Sequence, residues 1–121
     1  MKTSLIVYML TLSLAAIAAP ARADAWDMVV VNQTGKSLRS VEFAPSPNTI
    51  WHDQSQTLTR AIIPTGGRDT AHFDKPVSKC RFDLKAIFTD TGSAVWSSIN
   101  VCDNSYVTIK YLNAKPTFTT N

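Results

Sequence analysis

The sequence has few of the side chains that metal sites and catalytic centres use. It contains two histidines and two cysteines in 121 residues. His52 and His72 do not stand at the spacing from the cysteines that a Cys2His2 zinc site requires. The sequence therefore predicts neither a metal site nor a bound cofactor.

Two common catalytic motifs are also missing. No Gly-x-Ser-x-Gly segment occurs, so the usual nucleophile turn of serine hydrolases is absent. Residues 65–68 (TGGR) have glycines but lack the Lys-Ser/Thr pair of a phosphate-binding loop, and they are typical of a turn. We expect no catalytic residues in these segments.

Long basic runs are absent as well. The whole chain has 12 basic and 9 acidic side chains, a net charge of +3. Without Lys2 and Arg22, ten basic side chains remain against nine acidic ones, so the net charge of the rest is +1. Because no stripe of Lys or Arg is present, the sequence predicts no nucleic-acid binding.

A long apolar run occurs only at the N-terminus. Lys2 supplies a positive charge, and residues 5–19 hold no charged side chain. The run is diluted by Ala, Ser and Thr and is short for a helix that spans a bilayer. Ala21-Arg22-Ala23 then matches the pattern of a signal-peptidase site. We predict a signal-peptide helix over residues 1–23, cleaved after Ala23, and a periplasmic or secreted protein without a membrane span.

The remaining residues 24–121 suffice for a single domain. An exported chain meets an oxidising compartment, in which two thiols pair as a disulfide. We therefore predict a bridge between Cys80 and Cys102. Closing a loop of about 20 residues stabilises a fold by roughly 3 kcal/mol, which is large for a small domain.

Short β-branched and apolar segments alternate with turn residues along this region. Residues 80–88 alternate in polarity, with Cys80 and Phe88 on the apolar face, and residues 32–36 (NQTGK) are typical of a turn. We predict an all-β, antiparallel sandwich of about seven strands over residues 24–112, followed by a flexible C-terminal tail over 113–121. A partly open barrel is the alternative. The predicted strands cover residues 26–32, 38–44, 57–63, 68–73, 79–90, 94–102 and 106–112.

The hairpin between the fifth and sixth strands has two possible registers. A two-residue loop at 91–92 gives apolar cross-strand pairs but sets Cys80 against Asp103. A three-residue loop at 90–92, with Gly92 in the left-handed conformation, sets Cys80 opposite Cys102. A bulge near Ser97-Ser98 could satisfy both pairings, and we expect either a bulge or a distorted strand end there.

Asp90-Thr91-Gly92-Ser93 resembles the active-site loop of aspartic proteases. That chemistry needs two carboxylates that share one proton, and so a doubled motif or a dimer. Only 28 residues follow Ser93, and they hold no glycine that could brace such a loop. We interpret the motif as a hairpin turn, with a minor hydrolase as the alternative.

The polar loop over residues 48–56 holds the candidate contact surface, Ile50-Trp51-His52-Asp53, with Trp51, His52 and Asp53 as its candidate binding residues. An exposed Trp is typical of contacts with proteins and sugars, and a Trp that covers one end of the core is the alternative. His52 and Asp53 are badly placed as a base and its orienting carboxylate, because adjacent loop residues seldom point at each other. We interpret them as polar surface residues.

Several groups of residues between positions 29 and 102 together resemble a known family. The groups are Val31-Asn32-Gln33-Thr34-Gly35, Ala44-Pro45-Ser46 with Trp51, Ile63-Pro64-Thr65-Gly66 with Phe73, Cys80-Arg81-Phe82-Asp83-Leu84-Lys85 with Phe88 and Asp90, and Asn100-Val101-Cys102. The family is an uncharacterised group of small exported bacterial β-proteins. The resemblance implies export and a compact β fold, and it implies no activity. Some similar short sequences carry the name argininosuccinate lyase, but those lyases are long helical tetramers.

We therefore expect a non-enzymatic exported module that binds a protein or an envelope component, as a monomer. A second hypothesis is an inhibitor of a hydrolase such as lysozyme, since small β-domains with a disulfide suit that role. An enzyme is the third hypothesis.

Cleavage after Ala23 is directly testable. Expressed in a bacterium with its own N-terminus, the exported protein should begin at Asp24 in intact-mass measurements. Ala23→Leu should block processing, because the peptidase accepts only small side chains there, whereas Asp24→Asn should be processed normally. An exported protein that retains residues 1–23 would contradict the prediction.

Overall fold

The structure of the protein, a computed structural model, describes residues 23–52, 57–58 and 62–121. This part of the chain is all-β, and none of it forms a helix that could cross a membrane. The predicted signal-peptide helix lies outside the described residues, which begin at Ala23. The strands are β1 (Ala23–Gln33), β2 (Leu38–Pro45), β3 (Thr57–Leu58), β4 (Arg68–Pro76), β5 (Arg81–Phe88), β6 (Ser93–Asn100), β7 (Tyr106–Leu112) and β8 (Lys115–Thr120).

The strands form two sheets that pack together. The first has five strands in the order β3-β4-β1-β7-β8, and the second has three in the order β2-β5-β6. Among the described strands, neighbours are antiparallel except β1 and β7, which run parallel. A parallel pair needs a long crossover, and here the second sheet supplies it. The predicted all-β sandwich with one disulfide is confirmed.

Apolar and polar side chains alternate along the strands, so the apolar face of each sheet lies in a shared core. On β5, Phe82, Leu84 and the following even-numbered residues up to 88 are buried, as predicted. Trp96 of β6 is also buried, and its indole N–H donates to the carbonyl oxygen of Thr117 at 2.9 Å. This bond connects β6 of one sheet to β8 of the other.

Cys80 and Cys102 form the predicted disulfide, with a sequence separation of 22. They lie just before β5 and just after β6. The N–H of Val101 also donates to the carbonyl oxygen of Cys80 at 2.9 Å, so the bridge and a backbone bond close the same end of the hairpin. Such a bridge is compatible with an extracellular or periplasmic protein.

The predicted bulge near Ser97-Ser98 is confirmed. Residues 97 and 98 of β6 together stand opposite the single residue Asp83 of β5. Ser98 has a φ of 61°, in the left-handed region. Because a bulge interrupts the ladder, the N–H of Ser98 needs another acceptor.

Asp83 supplies that acceptor, although it is only 4% exposed. Its Oδ1 accepts the N–H of Ser98 at 2.9 Å, and its Oδ2 accepts the N–H of Asn48 at 2.9 Å. Burial raises the pKa of the Asp83 carboxyl, but these two bonds and one from the Ser46 hydroxyl outweigh burial. The pKa of Asp83 is therefore lowered from its ordinary value of 3.8.

The turn of the β5–β6 hairpin differs from both predicted registers. Phe88 donates its N–H to Gly92 at 2.8 Å, so the loop is 89–91. The left-handed residue is Thr91, with a φ of 74°, rather than Gly92. The predicted three-residue register differs from the observed one by two residues, a shift that keeps every side chain on its face, so the hydrophobic pattern does not discriminate between these two. The predicted two-residue register differs from the observed one by three residues. Asp90 lies in this turn, where its carboxylate accepts the Gly92 N–H and pairs with Lys36.

The predicted turn at residues 32–36 is confirmed. Asn32 is fully buried, and its side-chain amide donates to the carbonyl oxygens of Lys36 and Ile63. Its side-chain oxygen accepts both the N–H and the hydroxyl of Thr34. Gly35 has a φ of 86°, a conformation that glycine adopts without strain.

The prediction of a flexible tail over 113–121 is wrong. β8 pairs with β7, and the backbones of Asn121 and Tyr106 exchange two hydrogen bonds of 2.9 and 3.0 Å. Asn113 and Ala114 have φ values of 50° and 62°, as in the two-residue loop of a tight hairpin. Pro116 is tolerated because β8 is an edge strand. The sandwich therefore extends past residue 112 to the end of β8.

The predicted strand over 57–63 is only partly present. β3 covers Thr57–Leu58, and residues 59–61 lie outside the described part of the chain. Ile63 forms an isolated bridge with Leu38 of β2, so this segment contacts both sheets.

Replacement of Asp83 tests its role in holding the bulge. Asp83→Asn should lower the free energy of unfolding by about 1–3 kcal/mol, because an amide has one acceptor oxygen and can hold only one of the two backbone N–H groups, of Ser98 and Asn48, that the carboxylate holds. Urea denaturation at neutral pH measures the change. Asp90→Asn, on the exposed turn, is the matched control and should change stability by less than about 1 kcal/mol.

The pH dependence provides a second readout of the same variant. Because the folded state lowers the pKa of Asp83, its stabilising effect is complete above 3.8 and is lost as the pH falls through the lowered value. The stability difference between the native protein and Asp83→Asn should shrink from about pH 5 to about pH 2. A difference that does not vary with pH would refute this account.

Candidate ligand-binding cleft

A cleft of about 650 Å³ opens where β2 of the three-stranded sheet approaches β4 and β1 of the five-stranded sheet. Its walls come from these three strands and from the loop that follows β2. The volume lies within the range of small-ligand pockets. The cleft is therefore large enough for a small molecule or for a side chain of a partner protein.

Two phenylalanines join the sheets beside the cleft and contribute to its wall. The rings of Phe43 on β2 and Phe73 on β4 stack, with centroids 4.6 Å apart and planes 12° from parallel. The ring of Phe73 also contacts the ring of Phe82 on the central strand β5, with centroids 5.2 Å apart. The apolar wall is thus continuous with the core.

The loop over residues 46–52 covers this edge and is held by two buried carboxylates. Asp83 accepts the N–H of Asn48 near its beginning, and Glu42 Oε1 accepts the N–H of His52 at 3.2 Å at its end. Between these anchors, the side-chain amide of Asn48 donates to the carbonyl oxygen of Ile50 at 2.7 Å. The side chain of Ile50 is 69% exposed at the rim of the cleft.

Asp27 and His72 form a hydrogen-bonded pair on the cleft wall. The register of β1 and β4 sets these two residues directly opposite each other. Nδ1 of His72 hydrogen-bonds to Oδ1 of Asp27. The carboxylate therefore orients the imidazole, and Nε2 is the ring nitrogen that remains for another contact.

Glu42 is the most unusual group of the cleft. It is 7% exposed, and Oε1 binds the His52 N–H as described above. The other oxygen, Oε2, is buried and has no hydrogen-bond partner. A buried carboxylate oxygen without a donor is costly, so Glu42 lowers the stability that its bond to His52 provides.

The charge of the cleft differs from that of the rest of the chain. Three carboxylates line it, from Asp27, Glu42 and Asp74, together with the imidazoles of His52 and His72. No Lys or Arg belongs to the described lining, although the chain as a whole has a positive net charge. The cleft is therefore an acidic site on a slightly basic protein.

The described lining holds no Ser, Thr or Cys that could act as a nucleophile. Within the described ranges, no group of three or more His, Cys, Asp or Glu side chains is arranged to hold a metal ion. The arrangement can donate and accept hydrogen bonds, attract cations and bury apolar groups.

A second groove, of about 460 Å³, lies between β6 and β8. It is lined by Val95, Trp96, Phe118 and three neighbouring residues, none of which has a charged side chain. Thr117 contributes a buried hydroxyl that has no hydrogen-bond partner. This groove offers apolar contact but no charge for recognition.

The three residues that the sequence predicted as binding residues of a contact loop do not all lie at the cleft. His52 is exposed and lines the cleft, whereas Trp51 is partly buried and is not part of the described lining. Asp53 lies outside the described residues. The sequence pointed to an adjacent His-Asp pair, but the His-Asp pair seen here joins His72 to Asp27 across two strands.

Sequence reasoning missed Asp27, Glu42 and His72. Their proximity depends on strand pairing across distant parts of the chain, which no local pattern reveals. Glu42 alone had a local signal, because it interrupts the apolar run between Val41 and Phe43 on an otherwise buried strand.

Comparison of the chain with protein-family models, with curated proteins and with solved structures finds no match. The resemblance to small exported bacterial β-proteins stays a prediction.

The stacked phenylalanines can be tested by a double-mutant cycle. Phe43→Leu and Phe73→Leu should each destabilise the fold, and their effects should be coupled by about 0.5–1.5 kcal/mol, because either change already removes the ring pair. Urea denaturation of the two single variants and the double variant measures the coupling. Effects that add to within about 0.3 kcal/mol would show that the stacking contributes nothing of its own.

Proposed function

We propose that the protein is an exported, non-enzymatic binding module, and that the cleft with the loop over residues 46–52 is its contact surface. The proposed partner is a protein or an envelope component. The observation that carries the proposal is the exposed Ile50, which an anchored loop presents at the rim of an acidic cleft.

The loop supports this proposal because its conformation is fixed before a partner arrives. The backbone bonds to Asp83 and Glu42 hold both ends, and the Asn48 side chain holds the middle. A preorganised contact surface loses less conformational entropy on binding than a mobile one. An apolar residue surrounded by polar groups is also the usual arrangement of an interface hot spot.

Two further features agree with export. The predicted signal peptide over residues 1–23 directs the chain out of the cytoplasm, and the Cys80–Cys102 disulfide suits an oxidising compartment.

A matched pair of variants tests the contact surface. The oxidised protein is immobilised and exposed to periplasmic extract, to culture medium and to envelope fractions. Ile50→Ser should reduce retention of the captured partner about tenfold, because it removes the central apolar contact. Val77→Ser removes a side chain of similar exposure, 64% against 69%, away from the cleft and should have no effect.

Equal retention by the native protein and both variants would refute the proposed surface. Circular dichroism and an intact disulfide check that each variant is folded.

A further inference from the structure

Among the described strands, β6 forms an edge of the three-stranded sheet that nothing covers, since only β5 pairs with it. The other edges have features that hinder pairing with another chain. β3 has only two residues, β8 begins with Lys115 and Pro116, and the loop over residues 46–52 covers β2. β6 (SAVWSSIN) has neither a charged residue nor a proline, and its bulge leaves a regular edge over residues 93–96.

The register of the β5–β6 ladder determines which backbone groups of β6 point outward. Phe88 donates its N–H to the carbonyl oxygen of Gly92, and hydrogen-bonded pairs recur at every second residue of an antiparallel ladder. The even-numbered residues of the regular edge therefore bond to β5, whereas the N–H and C=O groups of Ser93 and Val95 point away from it. Both residues are exposed. The edge thus presents backbone donors and acceptors to solvent.

The apolar groove of about 460 Å³ lies directly beside this edge. The indole N–H of Trp96 donates to the carbonyl oxygens of Lys110 and Thr117, at 3.3 and 2.9 Å, so β6 lies over the boundary between β7 and β8. Phe118 of β8 pairs with the buried Ile109 and faces inward with it, but Phe118 is only partly buried because the smaller sheet ends at β6. One more strand beside β6 would cover this ring.

We propose that β6 binds an extended segment of a partner protein, which adds a fourth strand to the smaller sheet and covers the groove between β6 and β8. The backbone of this segment pairs with the outward N–H and C=O groups of Ser93 and Val95, and its alternate apolar side chains contact Phe118. The edge lies on the opposite side of the smaller sheet from the cleft. The inference therefore goes beyond the proposed function and does not depend on it.

The groove favours an uncharged occupant, since none of its six lining residues has a charged side chain. A charged group that pointed into it would lose hydration without gaining a partner of opposite charge.

A single strand also suits the edge better than a second copy of this chain does. β8 extends beyond β6 in the other sheet, so the β8 strands of two copies would meet before their β6 strands could pair. Lys115 and Pro116 hinder pairing between two β8 edges. A lone extended segment meets no such obstacle.

A peptide library tests the proposal on the oxidised protein, labelled with ¹⁵N for NMR. In each octapeptide Thr alternates with Val, Ile, Leu or Phe, and a Lys at each end keeps the peptide soluble. The library should slow hydrogen exchange of the Val95 amide, because its outward N–H gains an acceptor. The Ala94 amide already bonds to β5 and should keep its exchange rate.

N-methylated peptides separate strand addition from apolar contact alone. One series carries N-methyl groups on the Thr residues, and the other carries them on the apolar residues. In an extended strand the two sets of N–H groups point in opposite directions, so only one set faces β6. Strand addition predicts that one series loses binding and the other retains it. Equal behaviour of the two series, whether both bind or neither binds, would overturn the proposal.

Variants locate the peptides at β6. Val95→Pro removes an outward N–H and leaves the ladder to β5 intact, because proline is tolerated where the N–H of an edge strand faces solvent. It should weaken peptide binding by at least about tenfold. Val95→Thr keeps the N–H and the branched shape of the side chain, so this matched control should bind as the native protein does. Should Val95→Pro fail to fold, Ser93→Pro replaces it, since the Ser93 N–H also points outward.

Undiminished binding by the proline variant, or no protection of the Val95 amide by the library, would overturn the proposal. Analytical ultracentrifugation of the free protein tests the alternative occupant. A dimer that Val95→Pro abolishes would show that a second copy occupies the edge, and it too would overturn the proposal. Ile50→Ser should leave peptide binding unchanged, so failure of the strand site and failure of the contact surface at the cleft are distinguishable.

Discussion

The carboxylate of Asp83 is the interaction on which the described architecture most depends. It lies at the centre of the smaller sheet and accepts N–H groups from two segments that leave the regular ladder. One is the bulge of β6 at Ser98, and the other is the loop that begins after β2. Without that acceptor, the N–H groups of Ser98 and Asn48 would lose the partner that holds both segments, which a fold of this size tolerates poorly.

Asp83 and Glu42 are both buried carboxylates, but they differ in how many of their oxygens have a hydrogen-bond partner. Both are carboxylates on strands of the smaller sheet, and each holds one end of the loop over residues 46–52. Asp83 uses both oxygens for this purpose, whereas Glu42 keeps one oxygen without a partner. A buried carboxylate oxygen without a partner is a cost to the fold, which Glu42 bears and Asp83 avoids.

Much of the fold was predictable because its signals are local. Alternation along β5 identified the buried face, and the conflict between two registers identified the bulge at Ser97-Ser98. β8 was missed because Pro116 argues against a strand and because Asn113-Ala114 lacks the glycine of a typical hairpin loop. The cleft was largely missed because β1, β2 and β4 meet only through long-range pairing. Of the predicted contact loop, Ile50 and His52 lie on its described wall, and Trp51 does not.

The position of the cleft follows from the unequal size of the two sheets. Five strands cannot be covered completely by three, so the sandwich stays open where β2 and β4 approach each other. At that edge β3 has only two residues, and the stacked Phe43 and Phe73 bridge the sheets. Edge strands attract unwanted pairing unless charge or a loop covers them. Glu42 and its anchored loop meet that need on β2, because the loop covers the edge of the strand and Glu42 holds its end through the His52 N–H.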